Sequence, residues 1–216
     1  MTSSDQIAVV RFPGTLDHES ARRAAERVGA RAAFAWHADA DLPAGTTAVV
    51  LPGGFSYGDH LRPGAIASRA PIMAAIRRVA SEGAPVLGIC NGFQVLCEAG
   101  LLPGVLRPNR TLRFICRQAE LEIDDSATRW TDGRQRGDEI SIPIKHHDGA
   151  WFGNPADARI VLRYRGENPN GSVDHIAGIA SRDGNVMGLM PHPEEACDPL
   201  LGSEDGLALF RGLLAA

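Results

Sequence analysis

Short, almost unbroken apolar runs alternate with helix-like segments through the first hundred residues. "IAVVRF" (7–12), "RAAFAW" (31–36), "TTAVVLPGG" (46–54) and "APVLGI" (84–89) are too short for buried helices and read as strands covered on both faces. Between them, 17–29 reads as a helix with Asp17 as N-cap and Gly29 as its stop. Residues 70–83 read as a helix with Pro71 in the first turn, and 92–99 as a third. This alternation predicts βαβ units and a parallel sheet.

The pattern then changes. "LRFICRQAELEI" (112–123), "EISIPIKH" (139–146), "ARIVLRY" (158–164), "IAGIAS" (176–181) and "NVMGLMPH" (185–192) read as strands, and one helix closes the chain near 203–214. Strands following one another without helices predict that the sheet becomes mixed. The polar stretch 124–139 reads as an exposed loop, because it offers no apolar face. The expectation is one α/β domain over residues 1–216: a doubly wound, mixed but largely parallel sheet flanked by helices.

Composition narrows the function classes. With 216 residues, 44% hydrophobic and 22% charged, the chain is ordinary for a globular protein, and a net charge of −4 supplies no basic footprint for nucleic acid. The basic side chains are arginines except Lys145, which reads as a compositional bias. No apolar run reaches membrane-spanning length, and the amino terminus lacks a signal-peptide pattern. Cys90, Cys97, Cys116 and Cys197 are scattered with no CxxC pair, which argues against a zinc ribbon or disulfide framework and for a cytoplasmic location.

One cysteine stands out. Cys90 lies between Gly88 and Gly92 where a strand passes into a helix, with the glycine spacing of a nucleophile elbow. A strand turning straight into a helix crowds its neighbours, and glycine tolerates the crowding. Unpaired N–H groups at the helix start are expected to lower the thiol pKa. A cysteine packed in a βα corner fits these residues equally well, so a base must decide.

Of seven histidines, His18, His37, His60 and His175 sit in polar or poorly patterned segments. His146 and His147 are adjacent and should point to opposite faces, so they should not serve one site, and no metal site is expected. His192 differs. It follows an apolar strand and is bracketed by Pro191 and Pro193, which favours extended geometry and points Glu194 along the same side. That is a nucleophile, a base and an orienting carboxylate. Gly53 and Gly54, after another strand, and the N–H of Asn91 are candidate oxyanion donors.

Together "PGG" (52–54), "GICNGFQVL" (88–96) and "PHPE" (191–194) resemble the class I glutamine amidotransferases. A narrower resemblance is to the separate glutaminase subunits of phosphoribosylformylglycinamidine synthases. It rests on "GGFSYGDHLRPGAIA" (53–67), "CNGFQVLCEAGLLPG" (90–104), "NPNGS" (168–172) and "GNVMGLMPHPE" (184–194), and extends from about Ile7 to Leu214. The resemblance implies a flavodoxin-like fold and a Cys90–His192–Glu194 triad acting through a γ-glutamyl thioester. Gln94 and His146 would help bind glutamine. The ammonia would pass to an ATP- and magnesium-dependent synthetase subunit, joined by a small third subunit, and this chain would bind no cofactor or metal itself.

Two stretches depart from the family pattern. "KHHDG" (145–149) stands where a His-Gly-Glu-Gly-like run is usual, and "FPGTLDHES" (12–20) lacks the cysteine often found there. Other readings are a guanylate-synthetase-type glutaminase, a non-catalytic scaffold of the same fold, and a cysteine-elbow protease or chaperone. "FSYGD" with "NPNGS" argues against the first, an intact triad against the second, and Gln94 with "PHPE" against the third.

Overall fold

The computed structural model describes residues 5–215; the first four residues of the amino-terminal stretch read above lie outside it. In chain order the elements are β1 (Gln6–Arg11), α1 (His18–Arg27), β2 (Arg31–Trp36), β3 (Ala48–Leu51), α2 (Ile72–Ser81), β4 (Val86–Ile89) and α3 (Asn91–Glu98). There follow β5 (Val105–Arg107), β6 (Ile115–Ile123), β7 (Glu139–His146), β8 (Ala150–Phe152), β9 (Arg159–Tyr164), β10 (Ile176–Ala180), β11 (Val186–Leu189) and α4 (Leu207–Arg211).

Nine strands form one mixed sheet in the order β2-β1-β3-β4-β11-β10-β9-β6-β7. From β2 to β11 neighbours run parallel; from β11 to β7 they run antiparallel. The division follows composition. β3, β4 and β11 are buried at every position, as strands covered on both faces must be, whereas β7 alternates buried and partly exposed positions. α1 packs on β1 and β2, and α3 packs on β3, β4 and β11.

A second, two-stranded sheet pairs β5 with β8, elements of three residues that carry too little pattern to show in the sequence. Two expectations need correction. The closing helix is shorter than 203–214. The polar stretch 124–139 is not wholly exposed: Trp130 is buried and its indole N–H donates to Gly184 O at 2.8 Å. A single aromatic can anchor a loop that has no periodic apolar face.

The strand order decides where chemistry can occur. β3, β4 and β11 are adjacent and parallel, with Leu51 opposite Gly88 and Ile89 opposite Leu189. Their carboxyl ends therefore deliver Gly53, Cys90 and His192 to one rim, although 139 residues separate the first from the last. The sheet also turns back on itself, since His192 N–H donates to Pro143 O at 2.8 Å although β7 is the far edge strand.

Candidate active site

Cys90 sits between β4 and α3 with φ 51° and ψ −104°. A non-glycine residue there costs on the order of 1–3 kcal/mol and persists only where packing over-determines it. The packing is visible. A Cβ on Gly88 would lie 2.8 Å from the Gly92 carbonyl carbon, and one on Gly92 would strike the Leu51 carbonyl. The turn is thus wedged between its own glycines and β3.

A partly open cleft of about 180 Å³ lies above Cys90, room for a small polar side chain rather than a large ligand. Gly54, Gln94, Lys145, His146, Asp148 and His192 line it, with Leu16, Phe55 and Phe114 at its mouth. Glu194 lies behind His192, fully buried, with Oε1 accepting from the ring Nδ1 at 2.6 Å. This pairing arises differently from the extended path expected. The chain enters a 3-10 turn at Pro193–Glu195, and that turn brings Glu194 back to the ring. With Nδ1 taken, Nε2 is the remaining ring nitrogen; it is buried and has no partner.

The electrostatics also correct an expectation. Burial raises the Cys90 thiol pKa, aided by the Asp17 and Glu194 charges, and the Asn91 N–H opposes this only in part. Desolvation outweighs the helix N-terminus. Burial lowers His192 to about 4, with the Lys145 cation adding to it, and raises the Glu194 carboxyl well above the ordinary range. The resting site therefore holds Cys90 as a thiol and His192 as a neutral imidazole.

Gly54 lines the cleft, while Gly53 lies beneath His192, where a Cβ would be 2.7 Å from Cε1. The Gly53 carbonyl accepts from Leu16 N–H at 3.1 Å and Asp17 N–H at 3.2 Å, so the trans peptide aims the Gly54 N–H the opposite way. Asn91 is buried. Its side chain accepts from Ser56 N–H at 3.1 Å and donates to Gln94 Oε1 at 2.8 Å, tying the glycine loop to the elbow. Gln94 Nε2 donates to Asp148 O at 2.6 Å, so much of this amide is spent on holding the cleft wall.

A model of the CobB/CobQ-like glutamine amidotransferase domain matches residues 4–204. A phosphoribosylformylglycinamidine synthase subunit PurQ from Rubrobacter xylanophilus is 53% identical over 97% of this chain and 98% of its own length. A protein of the same name from Nocardia farcinica is 53% identical over 98% and 97%. The chain belongs to the PurQ family of glutamine amidotransferases. A chain in a structure of PurLQS from Thermotoga maritima superposes with a TM-score of 0.91 at 40% identity, covering 97% of each chain. A glutamine amidotransferase of the same organism has a TM-score of 0.66 at 18% identity over 97% and 96%, and shares the fold.

One stretch linked to the PurQ resemblance, together with Asn109, supports the cleft from behind. Asn170, in "NPNGS", donates to Gly149 O at 2.7 Å, and Asn109 Oδ1 meets His146 Nδ1 at 3.0 Å and Gly149 N–H at 3.1 Å. His146 is buried at the cleft wall, and burial followed by the nearby His192 lowers its pKa to about 3. Contrary to expectation, His147 lines the same cleft: β7 ends at His146 and the chain bends, so strand alternation no longer applies.

Sequence reading of this PurQ-family chain missed two site residues. Asp17 stands at the N-cap of α1 but makes no side-chain capping bond. It accepts instead from Lys145 Nζ at 2.8 Å, and its other oxygen lies 3.5 Å from His192 Nδ1. Lys145 was the one available signal, a single lysine in a chain that otherwise uses arginine. Among the described residues, Asp17, His192 and Glu194 place donor atoms within 4.8 Å of one another. Positive charge beside that group comes from the Lys145 ammonium, making it an ion-pair network.

Proposed function

We propose that this chain is the glutaminase subunit of a phosphoribosylformylglycinamidine synthase, and that Cys90, His192 and Glu194 perform its chemistry. The observation carrying the assignment of roles is the strained Cys90 on a buried elbow, beside the end of the neighbouring parallel strand that bears a carboxylate-bound histidine. PurQ relatives identical at half of all positions over full length support the reaction.

Glutamine enters the cleft and Cys90 Sγ attacks its side-chain carbonyl carbon while His192 Nε2 takes the thiol proton. The oxyanion develops near the Gly54 and Asn91 amides. The new imidazolium is held at Nδ1 by Glu194, which turns the costly burial of that carboxylate into stabilisation of the transition state. Its proton passes to the departing ammonia, leaving the thioester. Water activated by His192 then releases glutamate. Gln94 and His146 shape the glutamine pocket.

The ammonia goes to an ATP- and magnesium-dependent synthetase subunit, with a small third subunit completing the complex. That acceptor converts formylglycinamide ribonucleotide to its amidine, and this chain contributes no cofactor. The apolar mouth supports docking of the synthetase there, with Leu16 61% and Phe55 43% exposed. Among the described residues no helix is long and apolar enough to cross a membrane. Four free cysteines support the cytoplasm as the compartment.

A glutamine-like electrophile tests the roles. It should modify Cys90 and be blocked by glutamine, whereas a small generic alkylator should react first with exposed Cys116. Mass spectrometry that finds Cys116 or Cys97 modified by the glutamine analogue, with Cys90 intact, overturns the assignment.

A further inference from the structure

His192 is approached at Nδ1 by two carboxylates. Glu194 Oε1 lies at 2.6 Å and Asp17 Oδ2 at 3.5 Å. One orienting carboxylate is enough to fix the tautomer. A second negative charge there favours the imidazolium and opposes a base that must start neutral. The structure pairs this second carboxylate with a cation. Lys145 Nζ is 2.8 Å from Asp17 Oδ1 and 3.3 Å from Glu195 Oε1, and both Asp17 and Lys145 line the cleft.

We propose that Asp17 and Lys145 are a positioning pair for His192: Asp17 braces the Nδ1 edge of the ring beside Glu194, and Lys145 balances the added carboxylate. The inference rests on His192 being the base, as read above.

Three observations carry it. Asp17 occupies an N-cap position, where aspartate is a preferred residue, yet its carboxylate turns away from the helix amides toward Lys145 and His192. Gly53 leaves the space in which they meet: a Cβ there would strike Asp17 Oδ2 and stand 2.7 Å from His192 Cε1. Lys145 lies on β7, and two carbonyls of that strand accept from the site: Pro143 O from His192 N–H at 2.8 Å and Lys145 O from Cys90 Sγ at 3.8 Å, so one strand presents the cation and holds the two reacting residues.

The charges act in opposite senses. The groups facing His192 are Glu194 and Glu195 on its own turn, Asp17 at the start of α1, Lys145 and His146 on β7, and Cys90 at the elbow. Burial and then Lys145 lower the His192 pKa, while Asp17 and Glu195 raise it. Burial works against the Lys145 ammonium too, but Asp17, Glu194 and Glu195 outweigh it and hold its pKa above the usual lysine value. Lys145 therefore stays charged across the working range.

The test is the acid limb of kcat/KM for glutamate release, measured with the full chain assembled in its synthase complex. Lys145→Met removes the cation, makes the imidazolium easier to form, and should move the limb up by about one pH unit. Asp17→Asn removes an anion and should move it down by a similar amount, about one unit. The double variant should return near the parent limb, and Lys145→Arg should hold it there. A pair that mattered only for folding would change the amount of active protein without opposite displacements. Single variants that leave the limb in place, or move it in one direction, overturn the proposal. Cys90→Ser in the same assay separates this from the underlying reading. If it still releases glutamate, the triad assignment fails; if it is inactive while the limbs do not move, only the positioning pair fails.

Discussion

Two glycine-bearing turns leave adjacent strands at the candidate site, and both contain non-glycine residues with positive φ. At the elbow the strain is confined to Cys90, and every residue from Val86 to Cys97 is buried. In the loop after β3 it is spread over Tyr57, Asp59 and Leu61, with φ of 53°, 54° and 69°, and the segment reaches solvent, Leu61 being 88% exposed. The loop is held mainly by polar contacts: Tyr57 N–H to Pro13 O at 2.7 Å, Tyr57 Oη to His37 Nδ1 at 2.7 Å, and Arg62 to Glu98 at 2.6 Å. Packing that excludes every alternative fixes Cys90, the proposed nucleophile. The glycine loop after β3, the proposed oxyanion loop, is tied by bonds that water or a partner can replace, so it is where a response to docking is expected.

The largest expected effect tests whether the rigid elbow serves chemistry, through the histidine beside it. His192→Ala should lower glutamine-dependent synthesis by at least about 10³-fold while ammonia-dependent synthesis by the complex persists. If both fall together, the rigid unit serves folding or the acceptor reaction, and the comparison loses its chemical meaning.

Glycine substitutions come next. Gly92→Ala drives a Cβ into the Leu51 carbonyl and should cost about 4 kcal/mol or more in denaturant titration. Gly58→Ala in the loop meets nothing closer than 3.5 Å and should cost only the left-handed backbone penalty of about 1–2 kcal/mol. Equal losses would break the contrast between packed and adjustable strain.

The third effect concerns coupling. Glutamate release by the isolated chain should rise at least about tenfold when the synthetase subunit and its nucleotide are added, within what one restored oxyanion donor allows. Arg62→Ala frees Glu98, loosens the loop, and should reduce this activation more than the basal rate. An isolated chain already at the rate of the complex removes the adjustable half of the comparison.

The smallest effect is on stability. Burial, then the Asp148 charge, raises the Asp59 pKa from 3.8 to about 6. The unfolded carboxyl ionises first as pH rises, so Asp59 costs stability progressively between about pH 4 and 6, and the cost is constant above that. Asp59→Asn should gain in thermal midpoint over the parent across that window and keep the gain at pH 7. Solvent screening at this partly exposed site makes it modest. An advantage that shrinks from pH 4 to 6 contradicts the sign.

Much of this was legible in the chain. The parallel strands of the first half appeared as short apolar runs, and β7 matched the strand read over 139–146. Gly88 and Gly92 announced the elbow because close backbone approach leaves a residue-type mark. His192 and Glu194 were legible as a pair, although the 3-10 turn joining them was not, since proline restricts several geometries alike. The thiol pKa was read in the wrong direction: a helix N-terminus is visible in a sequence, while the depth of burial that outweighs it is not. Asp17 was read as a cap because local bonding is all a sequence can offer an N-cap aspartate.

What the sequence determined by itself is local: which segments are strands, where glycine is required, and which side chains could act as nucleophile, base and orienting carboxylate. Tertiary structure alone decided that β4 and β11 lie side by side, that β7 returns over the elbow, and that Asp17 and Lys145 meet beside His192 across 128 residues. The physical reason is range. Backbone conformation and steric crowding act between near neighbours and leave their pattern in the residues concerned. Burial and Coulomb forces act between groups that only the completed fold brings together, so the protonation states of Cys90, His192 and Glu194 became readable only once those groups were packed around one another.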